Sequence, residues 1–208
     1  MDMIDTLLDT TLVGYSRVGF AARRLDVMEK FPRLADRHVV VSGATGGIGS
    51  AVARRLVDNG AVVHAIGRTP AKLDRLVGSM DGHVVPHLAD LSSMRDVRAV
   101  VESITATAPH VDAIANNVGV MEPQRRITAE GFERTYATNL LGQYVLTEGL
   151  RPAFTDGTRV VFVSSGGMYS QPLGDVESSQ GDYTPTHAYA RTKRGQVSLA
   201  TELSTRIE

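Results

Sequence analysis

His38-Val39-Val40-Val41-Ser42-Gly43-Ala44-Thr45-Gly46-Gly47-Ile48-Gly49 is the stretch that decides the fold. A β-branched run, Val39–Val41, halts at glycines and predicts a short buried strand followed by a tight turn. Ala51 to Val57 then has helical spacing and closes on Asn59-Gly60, a good C-terminal cap pair. Gly43, Gly47 and Gly49 therefore sit where a strand turns into a helix. There the backbone must turn sharply and let a pyrophosphate approach bare N–H groups at the helix N-terminus. A side chain would obstruct one or the other. Glycine-rich turns also occur without any ligand, so the motif gains its weight from the strand–turn–helix setting.

Working outward, the same alternation continues. Strands are predicted at Ala61–Ile66, His83–Leu88, Val111–Ala115 and Arg159–Val163. Helices are predicted at Ala71–Val77, Ser92–Ala106 (capped by Ser92 or Ser93), Thr128–Phe154 and Ala188–Ile207. Alternating strands and helices imply an α/β protein: a Rossmann-type, doubly wound parallel sheet with helices on both faces. Upstream, Ile4, Leu7, Leu8, Leu12, Tyr15, Val18, Ala22 and Leu25 recur at helical spacing, before Phe31-Pro32-Arg33 breaks the pattern. Residues 1–37 are thus read as an amphipathic helix plus connector, and 38–208 as the catalytic domain. The helix is expected to pack on the domain. Arg17, Arg23 and Arg24 also suit it to peripheral contact with a membrane surface.

Composition narrows the function. A chain of 208 residues with 42% apolar and 22% charged residues suits one soluble globular core. A net charge of -1 offers no broad attraction to nucleic acid, and none is expected as a partner. With no cysteine there is no disulfide, zinc-thiolate site or thiol nucleophile. Asp2, Asp5 and Asp9 do not suit a secretory leader, and no apolar stretch approaches the ~18 residues of a membrane span. A cytoplasmic protein is the expectation. His83 and His87 fall on a strand and are not read as a metal site. No G-x-S-x-G elbow and no lysine-bearing phosphate loop is present.

The second strand ends at Gly67-Arg68, and no acidic residue lies between Ala61 and Ala71. An NAD site usually places an acid there to bind the ribose hydroxyls, whereas an arginine fork suits a 2′-phosphate. NADP(H) is therefore expected over NAD. Tyr189 and Lys193, four apart on a predicted helix, share one face. A phenol that ionises near its ordinary ~10 is a poor base at neutrality, and a nearby ammonium favours the phenolate. Taken alone, such a pair is more often a surface ion partner than a catalytic one.

Five elements now stand in order: the G-x-x-x-G-x-G turn, Asp90-Leu91, Asn116-Asn117-Val118-Gly119, Val163-Ser164-Ser165-Gly166-Gly167-Met168, and Tyr189-Ala190-Arg191-Thr192-Lys193. Together they resemble the short-chain dehydrogenase/reductase family, in its non-extended branch, near the retinol-dehydrogenase-like members. The resemblance covers residues 38–208. It implies that Ser42, Gly43, Thr45, Gly47, Ile48 and Gly49 cradle the dinucleotide. It implies that Asp90 and Leu91 flank the adenine, and that Asn117 and Gly119 line the trough. Asn139 would support the lysine through a water, Ser165 would orient the substrate oxygen, with Ser164 the weaker candidate, and Tyr189 and Lys193 would be the catalytic pair. The implied reaction interconverts a carbonyl and an alcohol on an apolar small molecule. A catalytically idle NADP-binding or interaction protein, or a non-functional fragment, is the alternative.

Two departures stand out. Val118 replaces the usual alanine, and the segment from Ser165 to Tyr189 is longer than in the commonest members, so this loop is expected to cover the substrate pocket. The family's fold also continues past Glu208 with two further strands and their helices. The expectation is an intact adenine half, a poorly held nicotinamide half, weak turnover, and self-association into homo-oligomers through an open sheet edge.

Overall fold

Five strands alternate with helices among the described residues. A computed structural model describes residues 33–178, 181 and 183–206. The predicted helix at 4–25 and most of its connector lie outside the described residues. The strands are β1 (His38–Ser42), β2 (Val62–Gly67), β3 (Val84–Leu88), β4 (Val111–Asn116) and β5 (Phe154–Phe162). The helices are α1 (Gly47–Asp58), α2 (Pro70–Gly78), α3 (Met94–Thr107), a single turn α4 (Arg134–Tyr136), α5 (Gly142–Leu150) and α6 (Pro185–Ser204). A π-helical segment, Ala137–Leu141, joins α4 to α5.

The sheet order is β3-β2-β1-β4-β5, and every pairing is parallel. Strand side chains alternate between faces, so one strand feeds two cores. Val39 and Val41 pack with Ala53 and Val57 of α1 and Leu73 and Leu76 of α2. Val40, Ile66 and Ile114 face the other way, onto Val97, Val100 and Ile104 of α3 and Leu146 and Leu150 of α5. Each such side chain contributes roughly 1.5–3 kcal/mol on burial. The doubly wound sheet read from the sequence is the observed fold, and its compact unit begins at Leu34, whose N–H donates to Asn59 O at 2.8 Å.

Local signals explain the element ends. Ser93 Oγ accepts from Asp96 N at 3.2 Å and caps α3. Thr184 caps α6, with Pro185 in its first turn. The expected helix over Thr128–Phe154 is shorter than its pattern. An antiparallel bridge joins Ile127 to Glu133, with Gly131 at φ 93° in the turn between them. Helix begins after Glu133, whose buried carboxylate accepts from the N–H groups of Thr135 and Tyr136, each at 2.8 Å. It ends before Pro152, and Phe154 already pairs with Val111. β5 is accordingly longer than the predicted Arg159–Val163, because a register shift opposite Val111/Ala113 lets the strand run on through an irregularity that includes Gly157 at φ 88°.

One polar feature crosses the sheet. His38 Nδ1 lies 3.0 Å from His64 Nε2, His64 Nδ1 lies 3.0 Å from His87 Nε2, and His87 Nδ1 lies 3.1 Å from Ser103 Oγ. Burial, with the neighbouring His87 and His38, pushes His64 down to about 4.

Candidate active site and dinucleotide cleft

The strand order reverses between β1 and β4, so their C-terminal ends flank the topological switch point of the sheet. The turn after β1 reaches it through Gly43 at φ 66° and Gly47 at φ 52°. Gly49 has no room for a side chain: a Cβ there would stand 2.3 Å from Gly43 O and 2.6 Å from Asn117 Nδ2. Asn117 Nδ2 donates to Ser42 O at 3.0 Å, while Ser42 Oγ accepts from Asn117 N at 3.0 Å and Val118 N at 3.1 Å. Ser42 is fully buried, so these two predicted cofactor residues tie the ends of β1 and β4 together and shape the turn from behind.

A cleft opens over that point. Of the predicted cofactor residues, Gly43, Thr45, Arg68, Asp90, Leu91 and Gly119 line it. Gly46, Lys72 and Thr138 also line it, and the sequence reading passed over them. Lys72, four residues after Arg68 and in the first turn of α2, is the readable signal. Arg68 is exposed at the end of β2, and Ile48 on the first turn of α1 is 64% exposed. Asp90 accepts from Ser92 N at 2.9 Å and meets Arg134 at 3.3 Å, which leaves lone pairs on both oxygens.

At the other end of the cleft stands α6. Lys193 Nζ lies 5.6 Å from the centroid of the Tyr189 ring, as one helical turn requires. The lysine is 2% exposed, and burial pushes it down to about 8. Its Nζ donates to Val163 O at 2.7 Å and Gln196 Oε1 at 3.2 Å. Gly119 backs directly onto it: a Cβ there would lie 3.3 Å from Nζ and 3.8 Å from Asn139 Oδ1. The cleft and the tyrosine–lysine pair therefore meet at Gly119.

Asn139 sits on the π segment, fully buried. Its side chain pairs with Val120 in both directions, at 2.7 and 2.8 Å, and also donates to Thr192 Oγ1 at 3.1 Å. The side chain thus pins the loop after β4, and the main-chain oxygen of Asn139 is what faces the lysine, through Gln196 Nε2 at 2.8 Å. The two serines after β5 separate cleanly. Ser164 Oγ donates to Lys193 O at 2.8 Å and is committed to holding α6. Ser165 Oγ accepts from Gly167 N at 3.2 Å, which leaves its hydroxyl hydrogen free to donate. The loop that follows is moored by Arg194 to Gln171 O at 3.1 Å, by Arg125 to Ser178 O at 2.8 Å, and by Tyr183 to Glu122 O at 2.8 Å.

A parallel sheet with a glycine turn at its switch point, and a tyrosine–lysine helix beside it, define a Rossmann-type α/β fold. The chain belongs to the short chain dehydrogenase family, whose sequence pattern matches residues 37–205. It is 33% identical over 176 residues to Dehydrogenase/reductase SDR family member 12 of Homo sapiens, covering 80% of this chain and 55% of that protein. It is 29% identical over 188 residues to retinol dehydrogenase 14 of Mus musculus, covering 82% of this chain and 56% of the relative. Among solved structures, a protein of Mycobacterium Paratuberculosis superposes with a TM-score of 0.77 at 32% identity, covering 85% of this chain and 65% of that one. A metagenomic short-chain oxidoreductase in complex with NADP gives 0.67 at 27% identity, covering 84% and 77%. The chain spans a little over half the length of these curated relatives.

Proposed function

We propose that this chain is the NADP(H)-binding, catalytic part of an oxidoreductase that interconverts a carbonyl and an alcohol on an apolar small molecule. The observation that carries the reading is the junction at Gly119, where the cleft meets Lys193 and Tyr189. The residues fit a dinucleotide: bare backbone at Gly43, Gly46 and Gly47, the α1 N-terminus, and the Arg68–Lys72 pair for a 2′-phosphate. Asp90 and Leu91 would flank the adenine. When bound, the cofactor supplies or accepts the hydride.

The chain's own residues handle the proton. Tyr189 donates it to the carbonyl oxygen in reduction and takes it from the alcohol in oxidation. Lys193, charged beside the ring, favours the ionised phenol at that moment. Ser165 offers a hydrogen bond to the same oxygen, whereas Ser164 is spent on α6. The loop between Ser165 and Tyr189 shields the pocket. Relatives named retinol dehydrogenase 14 and polyprenol dehydrogenase support an apolar substrate, and the NADP complex of the metagenomic oxidoreductase supports the cofactor.

Tyr189→Phe tests this reading. It should abolish turnover of an apolar ketone or alcohol and leave NADPH binding, followed by fluorescence, unchanged. A variant that keeps most of its activity would assign the proton to another group. A parent protein that binds NADPH but shows no turnover would favour an idle binding protein instead.

A further inference from the structure

Behind Lys193 lies a buried chain of amides that the catalytic reading leaves unused. Gln143 Nε2 donates to Val118 O at 2.6 Å. Gln143 Oε1 accepts from Gln196 Nε2 at 2.6 Å, and the same nitrogen donates to Asn139 O at 2.8 Å. Gln196 Oε1 then accepts from Lys193 Nζ at 3.2 Å. Gln143, Gln196 and Asn139 are fully buried.

This arrangement admits one orientation. Val118 O and Asn139 O are main-chain carbonyls and can only accept. Val118 O therefore requires the Gln143 nitrogen, which turns the Gln143 oxygen toward Gln196. That oxygen and Asn139 O together require both hydrogens of Gln196 Nε2. Flipping Gln196 would set its oxygen against two oxygens and its NH2 against an ammonium. Two backbone carbonyls on separate segments thus dictate that an amide oxygen faces Lys193.

We propose that Gln196, held by Gln143, is the positioning residue of Lys193: its amide links the Asn139 main-chain oxygen to the ammonium and keeps that ammonium charged and fixed beside Tyr189. The inference rests on the Tyr189–Lys193 reading above for its catalytic meaning, although the link itself does not. A side chain does here what the family resemblance assigns to a water at Asn139. A water can exchange or reorient, whereas this amide is locked by two acceptors on its nitrogen and one donor on its oxygen.

The electrostatics call for such a partner. A buried ammonium loses hydration, which drives Lys193 down toward neutrality. Acceptors aimed at the charged form oppose that. Val163 O just after β5 and Gln196 Oε1 from α6 are its two acceptors among the described residues, and they leave one N–H of the ammonium for the cleft beside Gly119. These groups and Asn139 are neutral, and Tyr189 is the ionisable group in contact. Losing one acceptor should therefore move the lysine, and the charge state of Lys193 governs its effect on the Tyr189 phenol.

Lys193 can be read directly, because Lys30, Lys72 and Lys193 are the only lysines in the chain. Lysine-selective 13C labelling gives three side-chain Cε signals to follow with pH, and Lys193→Arg assigns the one in question. Gln196→Met, similar in shape but without an acceptor, should lower the Lys193 midpoint by about one pH unit, the size of one hydrogen bond to a charged group. Gln196→Glu keeps an oxygen against Nζ and should raise the midpoint above that of the parent. Gln143→Met leaves Gln196 in place but frees its amide to turn, and should shift the midpoint down by less. Opposite signs for Met and Glu at one position separate an aimed acceptor from core packing. An unchanged midpoint in folded Gln196→Met and Gln196→Glu overturns the proposal. If Gln196→Met does not fold, an unchanged midpoint in Gln143→Met together with Gln196→Glu overturns it equally. The titration needs no turnover, so an active Tyr189→Phe would refute the catalytic reading without touching this one.

Discussion

Gly46, Gly47 and Gly49 look alike in sequence but are constrained by three different things, and alanine at each should separate them. At Gly49 a Cβ would sit 2.3 Å from Gly43 O and 2.6 Å from Asn117 Nδ2, in the turn after β1 and the loop after β4, which the Asn117–Ser42 hydrogen bond ties together. Overpacking against backbone costs roughly 1–3 kcal/mol, and displacing the Asn117–Ser42 hydrogen bond adds about 1. Gly49→Ala should therefore lose about 3 kcal/mol, and at 2–4 °C per kcal/mol for a domain of this size Tm should fall by roughly 6–12 °C. At Gly47 the space is open but φ is 52°, so Gly47→Ala costs only the left-handed backbone, about 1–2 kcal/mol. Gly46 is extended, at φ -171°, with nothing within 4 Å, so Gly46→Ala should stay within about 1 kcal/mol of the parent. Yet Gly46 lines the cleft, and its new methyl would stand where the pyrophosphate approaches. Gly46→Ala should thus melt normally and bind NADPH at least about tenfold more weakly, a loss of about 1.4 kcal/mol. Thermal melts and NADPH fluorescence titrations on the same three proteins decide it. Parent-like melting of Gly49→Ala, or parent-like NADPH affinity of Gly46→Ala, would refute the reasoning.

Three further outcomes follow from the same geometry. Arg68→Glu should lower NADPH affinity at least about tenfold and spare NADH, since it removes the guanidinium that would meet a 2′-phosphate; an unchanged affinity ratio would remove Arg68 from the site. Ser165→Ala should cut kcat by about 10²-fold with NADPH binding intact, whereas Ser164→Ala should cost about 1 kcal/mol of stability through its bond to Lys193 O; the reverse pattern would reassign the serine. His64, held at about 4 against an ordinary 6.5, binds its proton more weakly folded than unfolded. Its contribution is therefore present above about pH 6.5 and is lost as pH falls from there to about 4, on the order of 3 kcal/mol in all. Urea midpoints measured across that window should fall steeply in the parent and more gently in His64→Gln; equal slopes would show that the histidine chain is not the titrating element.

The strand–turn–helix reading was legible because each link has its own local physics. Val39–Val41 stops at glycines whose φ values the turn needs, and Asn59-Gly60 ends α1 with Gly60 at φ 93°. Over Thr128–Phe154 most of the stretch is helical, but its ends are not legible, because hydrophobic spacing runs on past the cap at Glu133 and past Pro152. Neither the bridge to Ile127 nor the pairing of Phe154 with Val111 leaves a periodic trace. Single side chains divide the same way. Tyr189 and Lys193 were findable because their relation is helical and local. The ranking of Ser165 over Ser164 rests on the family resemblance alone, since what separates the two physically is Lys193 O, 29 positions along the chain from Ser164.

Gln196 shows most sharply what position along the chain hides. It lies three residues beyond Lys193, on a helix face where a buried leucine would fit the apolar pattern equally well. An unpaired amide at such a place costs a few kcal/mol, so its presence is informative only once its partners are known. Those partners come from the π segment and α5, and Gln143 in turn is held by the loop after β4, stretches that the fold alone brings together. The π segment carries both contacts: the Asn139 side chain meets Val120 and its main-chain oxygen meets Gln196. The π segment and the glutamine on α6 are therefore two halves of one device, and removing either should loosen the same lysine.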